Sequence, residues 1–197
     1  MITVAIASYG DSMIWLPQAE RARASAESQA PVVQVHLPLG TLAEARNECL
    51  NKVETEFVVF LDADDQLAPD YIEQMEKGTA DVRGPMVNFM QGISRIAWQP
   101  RVAGHKHDCV ADCLPHGNWL VIGSCARTDL LRQVGGFEEF PVYEDWALWL
   151  RCWKAGATFE FMPEAVYLAE WRRESRNRTD TQEFRNQVHR QIVEAVL

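Results

Sequence analysis

The sequence predicts a single α/β domain with a mainly parallel central sheet and helices on both faces. Three observations lead there. Residues 2–77 alternate strand-like and helix-like patterns in the order β-α-β-α-β-α, which builds a parallel sheet. The run FVVFL at 57–61 is apolar at every position, as a central strand covered on both faces requires. A length of 197 residues with 47% hydrophobic content is enough to fill one core, so no second domain is needed.

Each element follows from its own signals. Ile2 to Ala7 reads as a buried strand running into the loop SYGD. A helix is expected from about Leu16 to Gln29, with Pro17 in its first turn and Pro31 closing it. Val32 to Leu37 is a second strand, stopped by Pro38 and Gly40. Thr41 caps the helix TLAEARNECLNKV, on which Leu42, Ala45 and Cys49 share a face. The strand EFVVFLD and a helix from about Pro69 to Lys77 come next. Strands are then expected at Asp81 to Pro85, Met86 to Trp98 and Trp119 to Ser124, around a polar loop from Gln99 to Asn118. Short and longer helices follow at Arg127 to Val134, stopped by Gly135-Gly136, and at Glu144 to Ala155. Two strands, ATFEFMP and AVYLAEW, lead to an arginine cluster and a final amphipathic helix from Thr181 to Leu197. The organisation expected is a nucleotide- and metal-binding half to about residue 98, an acceptor and catalytic half to about 170, and an Arg-rich loop with the C-terminal helix.

Composition excludes several function classes. A formal charge of −9 opposes a general nucleic-acid-binding surface. Five cysteines, an odd number scattered along the chain, do not form a disulfide framework and are expected to be reduced and buried. No apolar run approaches the roughly 18 residues of a membrane span, and MITVAIASYGD lacks the basic region of a signal peptide. The expected location is cytoplasmic.

The chemistry concentrates where FVVFLDADDQLAPD breaks. Asp62, Asp64 and Asp65 fall within four positions at a strand end. Adjacent carboxylates repel one another unless a cation or hydrogen-bond donors compensate. Asp is also a turn former and helix cap, so a plain strand-to-helix corner explains the same residues. Two observations favour a ligand site. In parallel α/β sheets, ligands bind outside the carboxyl ends of strands, and a D-x-D offers hard oxygens suited to Mg²⁺ or Mn²⁺ shared with substrate phosphates. A second acidic pair, Glu144-Asp145, opens a helix where the dipole favours negative charge; taken alone, it is better explained by helix capping.

The set ITVAIASYGD, SAESQ, LAEARNECLN, FVVFLDADDQLAPDYIEQM, LLRQVGGFEE and YEDWALWLRCWKAGATFEFMPEAVY resembles the family 2 glycosyltransferases over residues 1–170, in order and spacing. The resemblance implies a GT-A fold with a compact nucleotide-binding half, a nucleotide-sugar donor, a divalent Mn²⁺ or Mg²⁺, an acceptor bearing a hydroxyl, and inversion at the anomeric carbon. By the same resemblance Tyr9 packs on the nucleotide base and Arg46 contacts the nucleotide. Asp62 and Asp64 meet the metal and the donor, with Asp65 in support. Asp145 is the catalytic base, Glu144 its neighbour, and Gly135-Gly136-Phe137 borders the donor sugar and acceptor.

Two departures from that pattern stand out. VVQVHLPLGTLAEARN passes directly to the second helix without the usual acidic segment, leaving His36 as a candidate base contact. Where relatives carry a metal-binding His, this chain has EWRRESRNR, so Glu170, Arg172 or Arg173 is the candidate for metal or diphosphate. Outside the resemblance, HKHDCVADCLPH brings together His105, His107, Cys109, Cys113 and His116. Their types suit zinc, but the spacing fits no standard finger, and a polar acceptor loop is the competing reading. Trp146 and Trp149 are expected in the core, whereas Trp98, Trp119 and Trp171 are candidate sugar platforms. A sugar nucleotidyltransferase and a non-catalytic nucleotide-sugar or glycan-binding module remain the alternatives. The former class carries a Gly-rich basic loop after its first strand, which SYGDSMIWLPQAE does not provide.

Overall fold

A computed structural model describes residues 1–91, 94–98, 111–171 and 181–197 of the chain, the segment 94–98 as backbone only. The amino-terminal half is a parallel layer. Strands β1 (Ile2–Tyr9), β2 (Val32–Leu37) and β3 (Phe57–Asp62) pair in parallel with β1 in the middle. They are joined by helices α1 (Ser12–Ala26) and α2 (Leu42–Lys52). The β1 residues Val4, Ala5 and Ile6 and the β3 residues Val58, Val59 and Leu61 are almost fully buried, which is why neither strand alternates polar with apolar.

Helix boundaries follow side-chain chemistry. Asp11 Oδ1 accepts from the Met13 N–H and starts α1 earlier than its apolar pattern suggests. Thr41 and Glu44 form a reciprocal capping box at α2: Thr41 Oγ1 accepts from the Glu44 N–H at 3.2 Å, and Glu44 Oε2 accepts from the Thr41 N–H at 2.9 Å.

Beyond β3 the sheet becomes mixed. The short β4 (Gln66–Leu67) leads into α3 (Tyr71–Glu76), followed by β5 (Val82–Gln91), β6 (Ser94–Trp98), β7 (Cys125–Arg127), α4 (Thr128–Gln133), α5 (Glu144–Lys154), β8 (Phe159–Glu170) and α6 (Gln182–Val196). The strand order is β2-β1-β3-β7-β5-β8-β4, with β6 on β5. β7 is antiparallel to both β3 and β5, whereas β5 and β8 run parallel. The expected α/β domain is present, with a mixed rather than strictly parallel sheet.

Three segments differ from the sequence reading. The strands expected at Asp81 to Pro85 and Met86 to Trp98 divide elsewhere: β5 runs unbroken through Pro85 to Gln91, and β6 pairs back on it antiparallel. The apolar stretch Trp119 to Ser124 is not a strand. Ser124 N–H and Oγ both bond Val121 O, which turns the chain, and Trp119 and Leu120 pack against the backbone of β5 at Gly84. Burial alone made it look like a strand. ATFEFMP and AVYLAEW form one strand, β8, whose register on β5 shifts between Pro85 and Met86. Trp146 and Trp149 are buried, as expected. Cys49, Cys113, Cys125 and Cys152 are buried, and burial pushes the thiols of Cys49, Cys125 and Cys152 up to about 12. Cys109 lies outside the described residues.

Candidate active site

β3 delivers Asp62 to the same sheet end as Ser8 and His36, which pair in register one residue beyond the Ala7–Asp62 pair. The chain then turns tightly, the Asp65 N–H bonding Asp62 O at 3.0 Å, and enters β4, which pairs antiparallel with β8 at Tyr167 and Leu168. Asp65 points into this junction. Its Oδ2 accepts from the Tyr167 hydroxyl at 2.8 Å and its Oδ1 from the Glu170 N–H at 2.7 Å. Tyr167 Oη also accepts from the Asp62 N–H at 3.2 Å. Burial, then the charges of Asp62 and Asp64, hold the Asp65 carboxyl well above its ordinary range, although Glu170 and Tyr167 oppose the shift. Asp65 therefore carries the turn and the tie to β8, while Asp62 and Asp64 remain half-buried at the corner.

Arg46, on α2, connects this corner to the second acidic pair. Its side chain is 3% exposed, and its two terminal nitrogens donate to Asp62 Oδ1 and Glu144 Oε1, each at 2.8 Å. Its guanidinium lies over the Phe137 ring, 5.2 Å from the centroid. Burial works against its charge, but Asp62, Glu144 and Asp145 more than offset that and raise its pKa. The sequence placed 98 positions between Arg46 and Glu144 (144 − 46); the fold makes them a buried ion pair.

Asp145 follows Glu144 in the first turn of α5. Its Oδ1 accepts from the Trp146 N–H at 2.8 Å and its Oδ2 from Asn118 Nδ2 at 3.2 Å. Burial and then the adjacent Glu144 charge push its carboxyl up to about 7, against Arg46 and these two donors. Tyr143, immediately before the pair, has φ 66° and ψ 24°, a left-handed conformation that a non-glycine residue adopts at a cost and that clusters at functional sites.

The glycine turn sits behind this arrangement. Gly135 and Gly136 have φ 90° and 69° and end α4, the Gly136 N–H reaching Leu131 O. Asn47 of α2 clamps the next residue, its amide both accepting from the Phe137 N–H at 2.7 Å and donating to Phe137 O at 2.8 Å. Arg151 of α5 donates to Val134 O and Gly136 O. Phe137 packs edge-on to Phe60 of β3, centroids 4.8 Å apart. The turn thus joins α2, α5 and β3 beneath the acidic residues.

At the ends of β1 and β2, Tyr9 is half-buried. His36 is held through both ring nitrogens, Nδ1 by Ser8 Oγ and Nε2 by Ser12 Oγ, each at 2.9 Å. Trp119 is buried, and the Trp171 N–H bonds Met90 O. Arg172, Arg173, His105, His107 and Cys109 lie outside the described residues. Cys113 is buried beside the 3₁₀ turn at Leu114–His116. Among the described residues no group of three or more His, Cys, Asp or Glu is assembled to hold a metal alone.

Sequence profiles bear on this geometry. The profile of glycosyl transferase family group 2 matches residues 57–192, covering both acidic clusters, and that of glycosyl transferase family 2 matches residues 19–94. The chain belongs to the family 2 glycosyltransferases. No curated protein matches the chain by sequence. Solved structures match its fold: S. aureus TarS 1-349 in complex with UDP-GlcNAc superposes with a TM-score of 0.68 at 17% identity, covering 98% of this chain and 65% of that one. The same fragment in complex with UDP gives 0.62 at 16% identity, covering 98% and 71%. TarS gives 0.62 at 18%, covering 88% of this chain and 37% of that one. The chain therefore spans under two thirds of the first TarS structure.

Several residues that build the site were not singled out by the sequence. Asn118 belongs to no motif, whereas Tyr143 and Tyr167 stand at the two ends of YEDWALWLRCWKAGATFEFMPEAVY with roles that show only in the Tyr143 backbone angles and the Tyr167 hydroxyl contacts. Asn47 sits in EARN, the motif that singled out Arg46, and its clamp on Phe137 appears only in three dimensions. Among the described residues, no helix is long and apolar enough to cross a membrane.

Proposed function

We infer that this chain transfers a sugar from a nucleotide-sugar donor to an acceptor hydroxyl with inversion at the anomeric carbon. The observation that carries this reading is the Arg46 bridge, which joins a strand-end carboxylate corner to Glu144 of α5, the neighbour of Asp145, whose own carboxyl is pushed up to about 7. A general base works best when its pKa lies near the operating pH. Asp145 takes the proton from the acceptor hydroxyl as that oxygen bonds to the anomeric carbon. The bond from that carbon to the diphosphate oxygen breaks on the opposite face, and the diphosphate leaves with the electron pair. Burial, and then the Glu144 charge, keep the Asp145 carboxyl basic, while Arg46 fixes Glu144 in place.

Asp62 and Asp64 are two hard, half-buried carboxylates at a strand-end corner, a donor set that fits Mg²⁺ or Mn²⁺, ions that complete their shell with water and substrate phosphates. Asp64, with Asp62, is the assigned holder, and the bound ion would supply positive charge for the departing diphosphate. Arg46 acts on the donor through Asp62, since both terminal nitrogens are already bonded to carboxylates. Tyr9 is assigned to the nucleotide base, with His36 beside it. Gly135 and Gly136 shape the wall of the donor pocket, and Arg172 and Arg173 are assigned to the diphosphate on charge complementarity. The amino-terminal half then holds donor and metal, and the carboxy-terminal half holds the acceptor and base.

The TarS complexes make UDP-GlcNAc the first donor to test. Calorimetry should find Mn²⁺- or Mg²⁺-dependent binding of a UDP-sugar that Asp64→Ala abolishes. Absence of metal-dependent binding for every common nucleotide sugar would overturn the reading.

A further inference from the structure

Asn118 presents a hydrogen-bonding asymmetry that the roles above leave unused. Its Nδ2 donates to Asp145 Oδ2 at 3.2 Å, and its Oδ1 is buried without a hydrogen-bond partner among the described residues. The orientation is the one the reactive state requires: Asp145 acts as a base only when ionised, an ionised carboxylate accepts hydrogen bonds only, and the amide then turns its NH₂ toward it and its oxygen away. A buried acceptor without a donor is uncommon in folded proteins and calls for a ligand or water.

The segment holds Asn118 firmly. Before it, the 3₁₀ turn Leu114–His116 is tied to α5 through Trp146 Nε1, which donates to Leu114 O at 2.9 Å. After it, Trp119 and Leu120 press on β5 so closely that a Cβ at Gly84 would lie 2.6 Å from Leu120 Cδ2 and 2.8 Å from Trp119 Cζ3. Asn118 is thus fixed from both sides, and its Oδ1 lies one amide width from the nitrogen that touches the proposed base.

We propose that Asn118 is a specificity-determining residue, whose Oδ1 accepts a hydrogen bond from a second hydroxyl of the acceptor while Asp145 takes the proton of the first. This rests on the transfer reading above and names the acceptor class: a sugar or polyol with neighbouring hydroxyls rather than an isolated alcohol such as a serine side chain or a lipid alcohol. A lone hydroxyl satisfies Asp145 and leaves Oδ1 stranded. A vicinal diol satisfies both.

The test compares transfer to methyl glycosides of glucose, galactose and mannose with transfer to their 3-deoxy counterparts, whose remaining hydroxyls include no adjacent pair, and to N-acetylserinamide and n-octanol, using the nucleotide sugar that gives turnover. Wild type should favour the diol acceptors in kcat/KM by roughly ten- to hundredfold, the effect of leaving a buried polar group unpaired. Asn118→Ala should bring the diol-to-monodeoxy ratio close to one. It should also move the kcat/KM pH profile upward, because Asp145 loses a donor that favours its charged form. A purely structural role would lower all acceptors together and leave the ratio intact. Wild type without a preference for diols, or Asn118→Ala that keeps one, overturns the proposal while the transfer reading stands. No turnover of any nucleotide sugar by wild type, with any acceptor or with water, overturns both.

Discussion

Replacing Arg46 by Met tests whether one guanidinium holds the two acidic clusters together. The substitution keeps much of the apolar stem and removes the charge that faces Glu144 and Asp62, whose side chains are 11% and 33% exposed. Removing one partner of a buried pair costs about 3–5 kcal/mol. Asp62 retains solvent access and can rehydrate, so the loss falls at the lower end, about 3 kcal/mol, most of it from stranding Glu144. In a domain of this size each kcal/mol shifts Tm by about 2–4 °C, which gives a drop of about 6–12 °C. Arg46→Lys should recover only part of it, because one ammonium cannot reproduce a fork that meets two carboxylates at once. Urea and thermal unfolding of Arg46→Met, Glu144→Leu and the double variant form a cycle. Residues in direct contact should couple by about 1–3 kcal/mol, making the double variant less damaged than the sum. A Tm loss below about 2 °C for Arg46→Met, or strict additivity, would refute the bridge.

The remaining predictions concern individual contacts. Between the ordinary carboxyl value of 3.8 and about 7 the folded protein binds more protons at Asp145 than the unfolded chain does, so this group's contribution to stability falls as pH rises through that window. Asp145→Asn should therefore be more stable than wild type above pH 7, with the advantage disappearing toward pH 4, as measured by unfolding across pH. Gly136→Ala forces a Cβ against Asn47 Oδ1 at φ 69° and should cost about 2–4 kcal/mol, whereas Gly135→Ala, with 3.6 Å to its nearest neighbour, Arg151 Nη1, carries only the backbone strain of about 1–2 kcal/mol. Equal losses in urea titrations would contradict that ranking. Tyr167→Phe deletes the hydroxyl shared by the Asp62 N–H and Asp65 and should cost about 1–3 kcal/mol; an unchanged unfolding midpoint would show that the corner does not depend on it.

Legibility in the sequence tracked how local the cause was. FVVFL, the Thr41–Glu44 capping pair and the Gly135-Gly136 stop each act within a few residues, and the corresponding strand, helix and turn appear where expected. The carboxylate corner was visible as a cluster, but the division of labour within it was not. Asp65 is distinguished from Asp62 and Asp64 by Tyr167 and Glu170, residues more than a hundred positions away. Arg46 looked like a nucleotide contact, and its burial between Asp62 and Glu144 depends on how α2 and α5 dock. Trp119 to Ser124 was misread because packing against Gly84 makes the same demand for apolar side chains as a strand does. β8 was read as two strands because a register shift interrupts its pattern. The mixed sheet was hidden for a related reason: strand direction is set by connections through segments that carry little periodicity.

The central claim is that Asp145 moves the proton in a sugar transfer while the Asp62–Asp64 corner holds the donor. Single-turnover transfer by Asp145→Asn, measured beside calorimetric donor binding in the same metal-containing buffer, separates these roles. The account predicts a donor Kd close to that of wild type and a transfer rate lower by about 10²–10⁴, the range supplied by general base catalysis. Full transfer by the variant, or loss of donor binding together with activity, would contradict it.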